Sequence, residues 1–344
     1  MEKQNTLESF IPIIKPIRPK PKKIKYNEKK KYTQDWKAYD NAKTKEFILF
    51  KSFLKQMFEV YFKYEIKTNK RIPTKDRILM MCLKVYFKSD FRKLKGIIED
   101  LYGKAPSYKT LCNFFDDENI EQILDDLILI SSMPLSSLEK TGAIDSTGFS
   151  TSNFDNWNEF KWGKMKGKEQ VWRKLHCLVG CHTNTIISAK VTEKNIADAP
   201  MVEPTLENKT KYFELENFVA DKAYNSRKIF DYLRELGLDV FIPYKSNAVA
   251  KARGSYYWKK MFLYFRDHQD EFMEKYHKRS NVETTFSMLK TKFNNKVMTK
   301  RLTSNINEIK IKCLCHNICV LIQEMFENKI EIDFDKTMDK MKSV

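Results

Sequence analysis

The chain has 344 residues, of which 42% are apolar, so it is long enough for a large core or for two to three domains. Its 63 lysines and arginines outnumber 45 acidic residues, and the net charge of +18 attracts polyanions, with nucleic acid the commonest partner and an anionic membrane surface the alternative. The sequence contains no run of the ~18 apolar residues that a spanning helix needs and no apolar stretch typical of a signal peptide, so we expect a cytoplasmic, nucleoid-associated protein without a membrane partner.

The start of the chain is basic and rich in proline. Residues 1–34 carry ten basic and three acidic residues and four prolines, a composition that buries too little apolar surface to fold alone. We expect residues 1–40 to be a disordered basic arm that contacts phosphates, with a solubilising tail as the alternative. Four of its residues have the spacing of a peptide that binds a replication sliding clamp, namely Gln4, Leu7, Phe10 and Ile11.

The next segment, 41–135, has apolar residues at helical spacing. Ser89 is predicted to cap one helix that ends at Gly103, and Ser107 to begin another. Two short helices joined by a turn with glycine form a candidate helix-turn-helix, although an ordinary helical bundle has the same pattern. The residues that would then face the major groove are Tyr108, Lys109 and Asn113.

Beyond residue 136 the pattern changes to alternating strands and helices. Two short apolar strands are each predicted to end in an acidic residue, Asp145 after Ala143-Ile144 and Asp221 after Val219-Ala220. A carboxylate is costly in such a strand unless it is paired or bound to a metal, and two adjacent carboxylates share a proton or a divalent cation. A hairpin is expected at residues 182–184 between two further strands.

A long helix is predicted from about Gln269 to Lys292. Four of its residues stand at offsets of 0, 3, 7 and 14, which places them within an arc of ~60° at ~100° per residue. The stripe presents a phenol, a guanidinium, a carboxylate and an ammonium, although a solvated helix face is the plainer interpretation. The four residues are Tyr276, Arg279, Glu283 and Lys290.

The cysteines number seven, and two groups of cysteine and histidine have to be weighed as zinc sites. One group is His176, Cys177, Cys181 and His182, and the other is Cys313, Cys315, His316 and Cys319. Both lie in apolar runs without the short turn that usually pairs zinc ligands, so we expect reduced core thiols, with zinc as the alternative.

With these residues in place, residues 138–325 resemble the DDE transposases of prokaryotic insertion sequences. The spacing of the four helical residues matches the Tyr-Arg-Glu-Lys signature of one group of these enzymes. The segments AIDSTGF and VADKAYNS are similar to the two aspartate blocks, and WRKLH and FIPYK to the pattern between and after them.

The resemblance implies an α/β catalytic domain at 136–326, with a ribonuclease-H-like mixed sheet flanked by helices. An all-α DNA-binding domain would precede it at 41–135, and a charged tail would follow at 327–344. The gap between the second aspartate and the glutamate is too short for the large β insertion of some relatives. The residues it implies as catalytic metal ligands are Asp145, Asp221 and Glu283.

The implied activity is cut-and-paste transposition with two Mg²⁺ ions, for which Mn²⁺ can substitute. The expected partners are the double-stranded element ends, the target DNA and a second copy of the chain. Residues expected to contact DNA are Arg279 and Lys290 as phosphate clamps, Tyr276 in support, and Lys222 and Lys245. The segment 161–170, which is basic and contains two glycines, is expected to be a mobile loop. The candidates for stacking on an extruded base are Trp157, Trp162 and Trp172. Two alternatives remain at this stage: a catalytically silent, transposase-derived DNA-binding protein or repressor, and a metal-dependent nuclease.

Overall fold

The computed structural model describes residues 35–64, 71–151 and 172–343. Residues 1–34 of the predicted basic arm with its clamp-binding peptide, the loop 161–170, Trp157 and Trp162 lie outside the described residues, so the predictions on them stay predictions. The predicted end of the arm at residue 40 is too late, because the first helix already begins at Trp36 and Ala38 is buried in it.

The first part of the chain is helical. Its five helices are α1 (Trp36–Tyr61), α2 (Thr74–Tyr86), α3 (Phe91–Tyr102), α4 (Tyr108–Phe115) and α5 (Ile120–Ser132). Gly103 ends α3 with a left-handed φ of 74°, and the Ser107 hydroxyl accepts a bond from the Thr110 amide at the start of α4, as predicted. The predicted cap Ser89 is wrong, because the carboxylate of Asp90 accepts the Arg92 and Lys93 amides. A carboxylate at this position also interacts favourably with the helix dipole.

A mixed five-stranded sheet follows, flanked by helices as expected. Its strands are β1 (Thr141–Ser150), β2 (Trp172–Gly180), β3 (Ile186–Glu193), β4 (Asn217–Ala220) and β5 (Asp239–Phe241). The order across the sheet is β3-β2-β1-β4-β5. Strands β1, β2 and β3 form an antiparallel meander, whose β2–β3 turn is the predicted hairpin, while β1, β4 and β5 run parallel. The parallel strands therefore end at one common edge.

The helices that alternate with these strands and follow them are α6 (Val202–Leu206), α7 (Arg227–Glu235), α8 (Tyr256–Asp267), α9 (Gln269–Tyr276), α10 (Ser280–Phe293), α11 (Leu302–Glu327) and α12 (Phe334–Ser343). The C-terminal segment, which we expected to be a charged tail, instead forms α12. Phe334 is buried in α12 and packs edge-on against Phe53 of α1, which explains why this segment is ordered.

Helix α11 joins the helical region to the sheet, because it packs against α1, α2 and α5 on one side and against β3 on the other. Many of its polar side chains are buried and satisfied, as a low-dielectric core requires. Lys310, for example, is fully buried and pairs with Asp125 at 2.6 Å and with Glu121 at 2.8 Å. Residues 36–344 form one compact unit as a result. In the described part of the chain, no helix is both long and apolar enough to cross a membrane.

Candidate active site

The sheet register places the two aspartates side by side. Ile144 of β1 is level with Ala220 of β4, so Asp145 and Asp221 come next on neighbouring parallel strands. At the usual spacing between strands, their Cα atoms are about 5 Å apart. Our expectation that the first strand ends at Asp145 is wrong. β1 continues to Ser150 because β2 pairs with it along that length, whereas β4 stops at Ala220. Asp145 is thus the first residue of β1 that has no partner on the β4 side.

The third carboxylate lies on α10, which packs on β1. Arg279, immediately before α10, donates from Nη1 to Oδ2 of Asp145 at 2.8 Å and from Nη2 to Oε1 of Glu283 at 2.5 Å. One guanidinium therefore holds the first-strand aspartate and the helical glutamate together. The side chains of Asp145 and Arg279 are about one-fifth exposed, whereas that of Glu283 is 59% exposed and open to solvent.

The pKa of Asp145 shows that all three carboxylates share one electrostatic environment. Burial raises this pKa above its usual value, and the negative charges of Asp221 and Glu283 raise it further, while the Ser146 amide and Arg279 oppose them. Carboxylate oxygens are the ligands that Mg²⁺ and Mn²⁺ prefer. Asp145 and Glu283 share one guanidinium, and Asp221 follows Ala220 on the strand next to Asp145, so these three residues offer oxygen ligands for such an ion. Within the described ranges, no three acidic, histidine or cysteine side chains are arranged to hold a metal ion, and the guanidinium of Arg279 lies between Asp145 and Glu283.

The signature residues do not lie on one continuous α-helix, contrary to the prediction. The helix α9 ends at Tyr276, residues His277–Arg279 form a 3₁₀ turn, and α10 begins at Ser280. The break follows from packing, since α9 lies against β4 and β5 whereas α10 lies against β1, α2 and α11. A tighter turn inside a helix is a common feature of functional hinges. Here it sets Arg279 at the junction, within reach of both carboxylates.

Lys290 and Tyr276 complete the stripe in different ways. The Lys290 ammonium donates to Oγ1 of Thr147 at 2.6 Å and lies 5.5 Å from the ring centroid of Phe149, and burial lowers its pKa. Tyr276 is half-buried beside Arg279. Burial lowers the pKa of Arg279, but Tyr276, Asp145 and Glu283 outweigh this effect, so the net shift is upward. Sequence reasoning missed Thr147, although the two-residue period of a strand places it on the same face as Asp145.

The remaining candidates for DNA contact are spread over three places. Lys222 is exposed and follows Asp221, whose Oδ1 accepts the Lys222 amide at 2.6 Å. Lys245 is exposed in the loop after β5. The predicted contact residues of α4 are all exposed, with the ring of Tyr108 covered on one side by Arg92; they are Tyr108, Lys109 and Asn113.

Trp172 is not placed to stack on a base at this site. It pairs with Ser150, which points to the face of β1 opposite to Asp145, and its ring lies against Gly148. A side chain at Gly148 would overlap the ring, since a Cβ there would lie 2.6 Å from it. Trp172 therefore lies on the other face, where it is 44% exposed.

The two groups considered as zinc sites lie mostly in the core, although His182 is exposed and Cys319 is partly buried. All seven cysteines are unpaired thiols, and in the described residues no group of three cysteine, histidine or acidic side chains is arranged to hold a metal. His176 bonds to the Thr192 hydroxyl at 2.9 Å, and His316 to the Asn184 carbonyl at 2.9 Å. These imidazoles serve as buried hydrogen-bonding groups.

A mixed sheet with acidic side chains level on two parallel strands, and a third on the helix above them, is the architecture of a transposase catalytic domain. The family model of the transposase DDE domain matches residues 136–318, which is more than half of the chain. The chain therefore belongs to the family of DDE transposases, as the sequence resemblance implied.

A solved structure was also found, that of the piggyBac transposase synaptic complex with hairpin DNA. Its identity to this chain is 12%, the match covers 86% of this chain and 78% of that one, and the TM-score is 0.39. At that score the likeness is weak, and the family assignment rests on the DDE domain match.

Proposed function

We propose that this chain is the DNA transposase of a prokaryotic insertion sequence of the Tyr-Arg-Glu-Lys group, with a ribonuclease-H-like catalytic domain. It would bind the element ends, nick them by metal-dependent hydrolysis and join the 3′-OH to target DNA by cut and paste. The observation that carries the proposal is the single guanidinium of Arg279, bonded to Asp145 and Glu283 beside Asp221. The two carboxylates on this cation, together with Asp221 on the strand next to Asp145, offer oxygen ligands for divalent ions.

The carboxylates of Asp145, Asp221 and Glu283 would hold the metal, Mg²⁺ with Mn²⁺ as a substitute. Two such ions, when bound, lower the pKa of an attacking water or 3′-OH and stabilise the leaving oxygen. Arg279 has a second task, because it keeps the carboxylates together in the free protein and becomes available to bind a phosphate when they take a metal. Lys290, held by Thr147 two residues beyond Asp145, would bind a second phosphate oxygen. No side chain has to act as a covalent nucleophile in this chemistry.

The partner in this proposal is double-stranded DNA. The charge of +18 supports it, as do the exposed Tyr108, Lys109 and Asn113 on α4, the second helix of the candidate helix-turn-helix. Because two ends must be joined in one reaction, we also propose that the chain acts as a homodimer on DNA. Binding of the N-terminal peptide to a sliding clamp and association with the nucleoid remain part of the same proposal.

Plasmid excision tests the function. Wild-type protein should excise an element flanked by its own ends in Mg²⁺, and Glu283→Gln should lose excision while it still binds the ends. Glu274→Gln is the matched control, because Glu274 is an exposed residue of α9, outside the triad, and should keep excision. Equal excision by wild type and Glu283→Gln would refute the triad. Binding without excision by the wild type, with the correct ends supplied, would favour the alternative of a repressor.

A further inference from the structure

The loop that follows β5, residues 245–256, lies beside the catalytic carboxylates; we call it the basic loop. The strand β5 is parallel to β4 and in register with it, with Phe241 level with Val219. Continuing that register places Pro243 level with Asp221 and therefore with Asp145, one and two strands away. At the usual strand spacing, the chain leaves the sheet about 10 Å from Asp145 and continues directly into the basic loop.

The charge of this region is of one sign. From Phe241 to Arg266 the sequence has six basic residues and no acidic one. The basic loop contributes Lys245, Lys251 and Arg253, all exposed, and Lys259 and Lys260 follow on α8. Within the part of the chain that the structure describes, none of these five cations forms an ion pair, whereas many other lysines and arginines do. Uncompensated like charges that are held together repel one another, and a polyanion relieves that repulsion.

The loop is built as a fixed structure. Arg227 of α7 donates to the carbonyl of Ala252 at 2.8 Å and to that of Lys251 at 2.9 Å, and its guanidinium stacks 4.1 Å from the ring of Trp258. Trp258 donates in turn to Asn225 at 2.8 Å, four residues after Asp221. The same Asn225 amide donates to the carbonyls of Ile242 and Pro243 where the chain leaves β5.

The tip of the loop is fixed in the same way. Arg253 and Gly254 both take left-handed φ angles, 47° and 94°. The Ser255 hydroxyl, which bonds to Asp231 at 2.6 Å, then caps α8. Tyr256 comes next and is 83% exposed, the highest value among the large hydrophobic side chains of the described residues. Ordering these groups before a partner arrives lowers the entropy cost of binding.

We propose that the basic loop binds the sugar–phosphate backbone of duplex DNA next to the cleaved phosphate. Lys251 and Arg253 contact phosphates, and Tyr256 packs against the adjoining sugar. Such contacts position DNA without reading its sequence, so the loop serves flanking or target DNA as well as element ends. This inference rests on the proposed function, since it takes the carboxylates beside the loop to be the cleavage site.

The test is the salt dependence of binding to a duplex of about 30 base pairs with an arbitrary sequence. Full-length wild type and the double variant Lys251→Gln/Arg253→Gln are compared by fluorescence anisotropy in EDTA, from 50 to 200 mM NaCl. Each phosphate contact contributes about 0.9 to the slope of log K against log salt, so two lost contacts lower its magnitude by about 1.8. Over this fourfold change in salt, the variant should lose roughly tenfold less affinity than the wild type loses. The same change in slope is expected on a second, unrelated sequence.

The matched control is Lys329→Gln/Lys336→Gln, which removes two exposed charges elsewhere. Lys336 lines a cavity with Met133 and Pro134, near the amino end of β1 and away from the triad. The control should keep the wild-type slope. Equal slopes for all three proteins overturn the proposal, and so does a loss confined to one DNA sequence. Loop-dependent binding of the wild type to anionic phosphatidylserine vesicles, stronger than to the duplex, would assign the surface to membrane and overturn it as well.

The two proposals fail in different ways. If the loop is misassigned, its double variant keeps the wild-type slope while Glu283→Gln still abolishes excision. If the transposase function is misassigned, Glu283→Gln and wild type do not differ in excision, whatever the slope. The variants retain a side chain of similar length, and urea unfolding checks that both remain folded.

Discussion

Replacing Arg279 by methionine should tighten the binding of a divalent metal and still abolish cleavage. The guanidinium lies between Asp145 and Glu283, so an ion that takes both carboxylates must first displace it. Methionine keeps the length of the aliphatic stem and removes the competing charge. Cleavage should nevertheless be lost, because the displaced guanidinium is the group that we expect to bind a phosphate.

The size of the effect follows from the two ion pairs. The bond to Asp145 joins side chains that are about four-fifths buried, where a hydrogen bond between charged groups contributes about 1.5–3 kcal/mol. The bond to Glu283 involves a carboxylate that is 59% exposed, so solvent screening limits it to less than about 1 kcal/mol. In the wild type, hydration of the displaced guanidinium offsets part of the energy needed to break these two ion pairs. Arg279→Met removes the remaining cost of about 2 kcal/mol, which corresponds to metal binding that is roughly 30-fold tighter.

Mn²⁺ binding to the full-length protein without DNA, followed by electron paramagnetic resonance or calorimetry, measures this gain. Lys290→Met is the control, because the Lys290 ammonium on α10 donates to Thr147 and makes no bond to Asp145 or Glu283. It should change Mn²⁺ affinity far less than Arg279→Met does. An Arg279→Met protein that binds Mn²⁺ no more tightly than Lys290→Met would refute the competition.

Two further predictions concern stability. Glu308 is buried between Lys84 at 3.5 Å and Lys312 at 3.8 Å, and Glu308→Ala should lower the free energy of unfolding by roughly 3–5 kcal/mol because it leaves buried charges unpaired. In urea unfolding, Glu193→Ala should cost less than about 1 kcal/mol, because the Glu193 carboxylate is 65% exposed where it pairs with Arg173, and equal losses would contradict this reasoning. Burial lowers the pKa of His316 from 6.5 to about 4, so the unfolded chain binds more protons between these values, and stability is lost as the pH is lowered through that window. Between pH 7 and 4.5 this histidine should account for about 2–3 kcal/mol, and His316→Gln should flatten the pH dependence of urea unfolding by that amount, whereas an unchanged slope would show that His316 binds a proton as readily in the fold as in the unfolded chain.

Local signals in the sequence predicted much of the fold, and long-range packing decided the rest. Gly103 ends α3 and Ser107 caps the start of α4 as expected, since a left-handed turn and a hydroxyl cap depend on neighbouring residues alone. The length of β1 depends on which strands pair with it, and the sequence around Asp145 contains no signal for that. The helix α12 is ordered by the contact between Phe334 and Phe53, residues almost 300 positions apart.

The sequence places Asp145 and Asp221 next to short apolar strands, and the register of β1 and β4 brings them side by side. The role of Arg279 in the free protein could not be predicted, because the helical period assumed one straight helix through residues 276–290. The 3₁₀ turn at His277–Arg279 breaks that period where the support changes from β4 and β5 to β1. The anchoring of the basic loop by Arg227 and Asn225 could not be predicted from the sequence either, since it depends on bonds to main-chain carbonyls, which every residue has.

The packing of α11 has a consequence for how the proposed end-binding helix and the cleavage site work together. Asn307 of α11 donates to the carbonyls of Phe115 and Asp117, at the carboxyl end of α4. One and a half turns further along α11, the ammonium of Lys312 lies 5.2 Å from the ring of Phe149, on the face of β1 that also carries Asp145. Both contacts are buried, and Lys312 is held on its other side by the carbonyls of Asn294 and Lys296. A densely packed helix of this kind keeps the elements at its two ends at a nearly fixed distance from each other. If α4 binds the element end as proposed, this packing would fix its distance from Asp145, and with it the position of the cut relative to the element end.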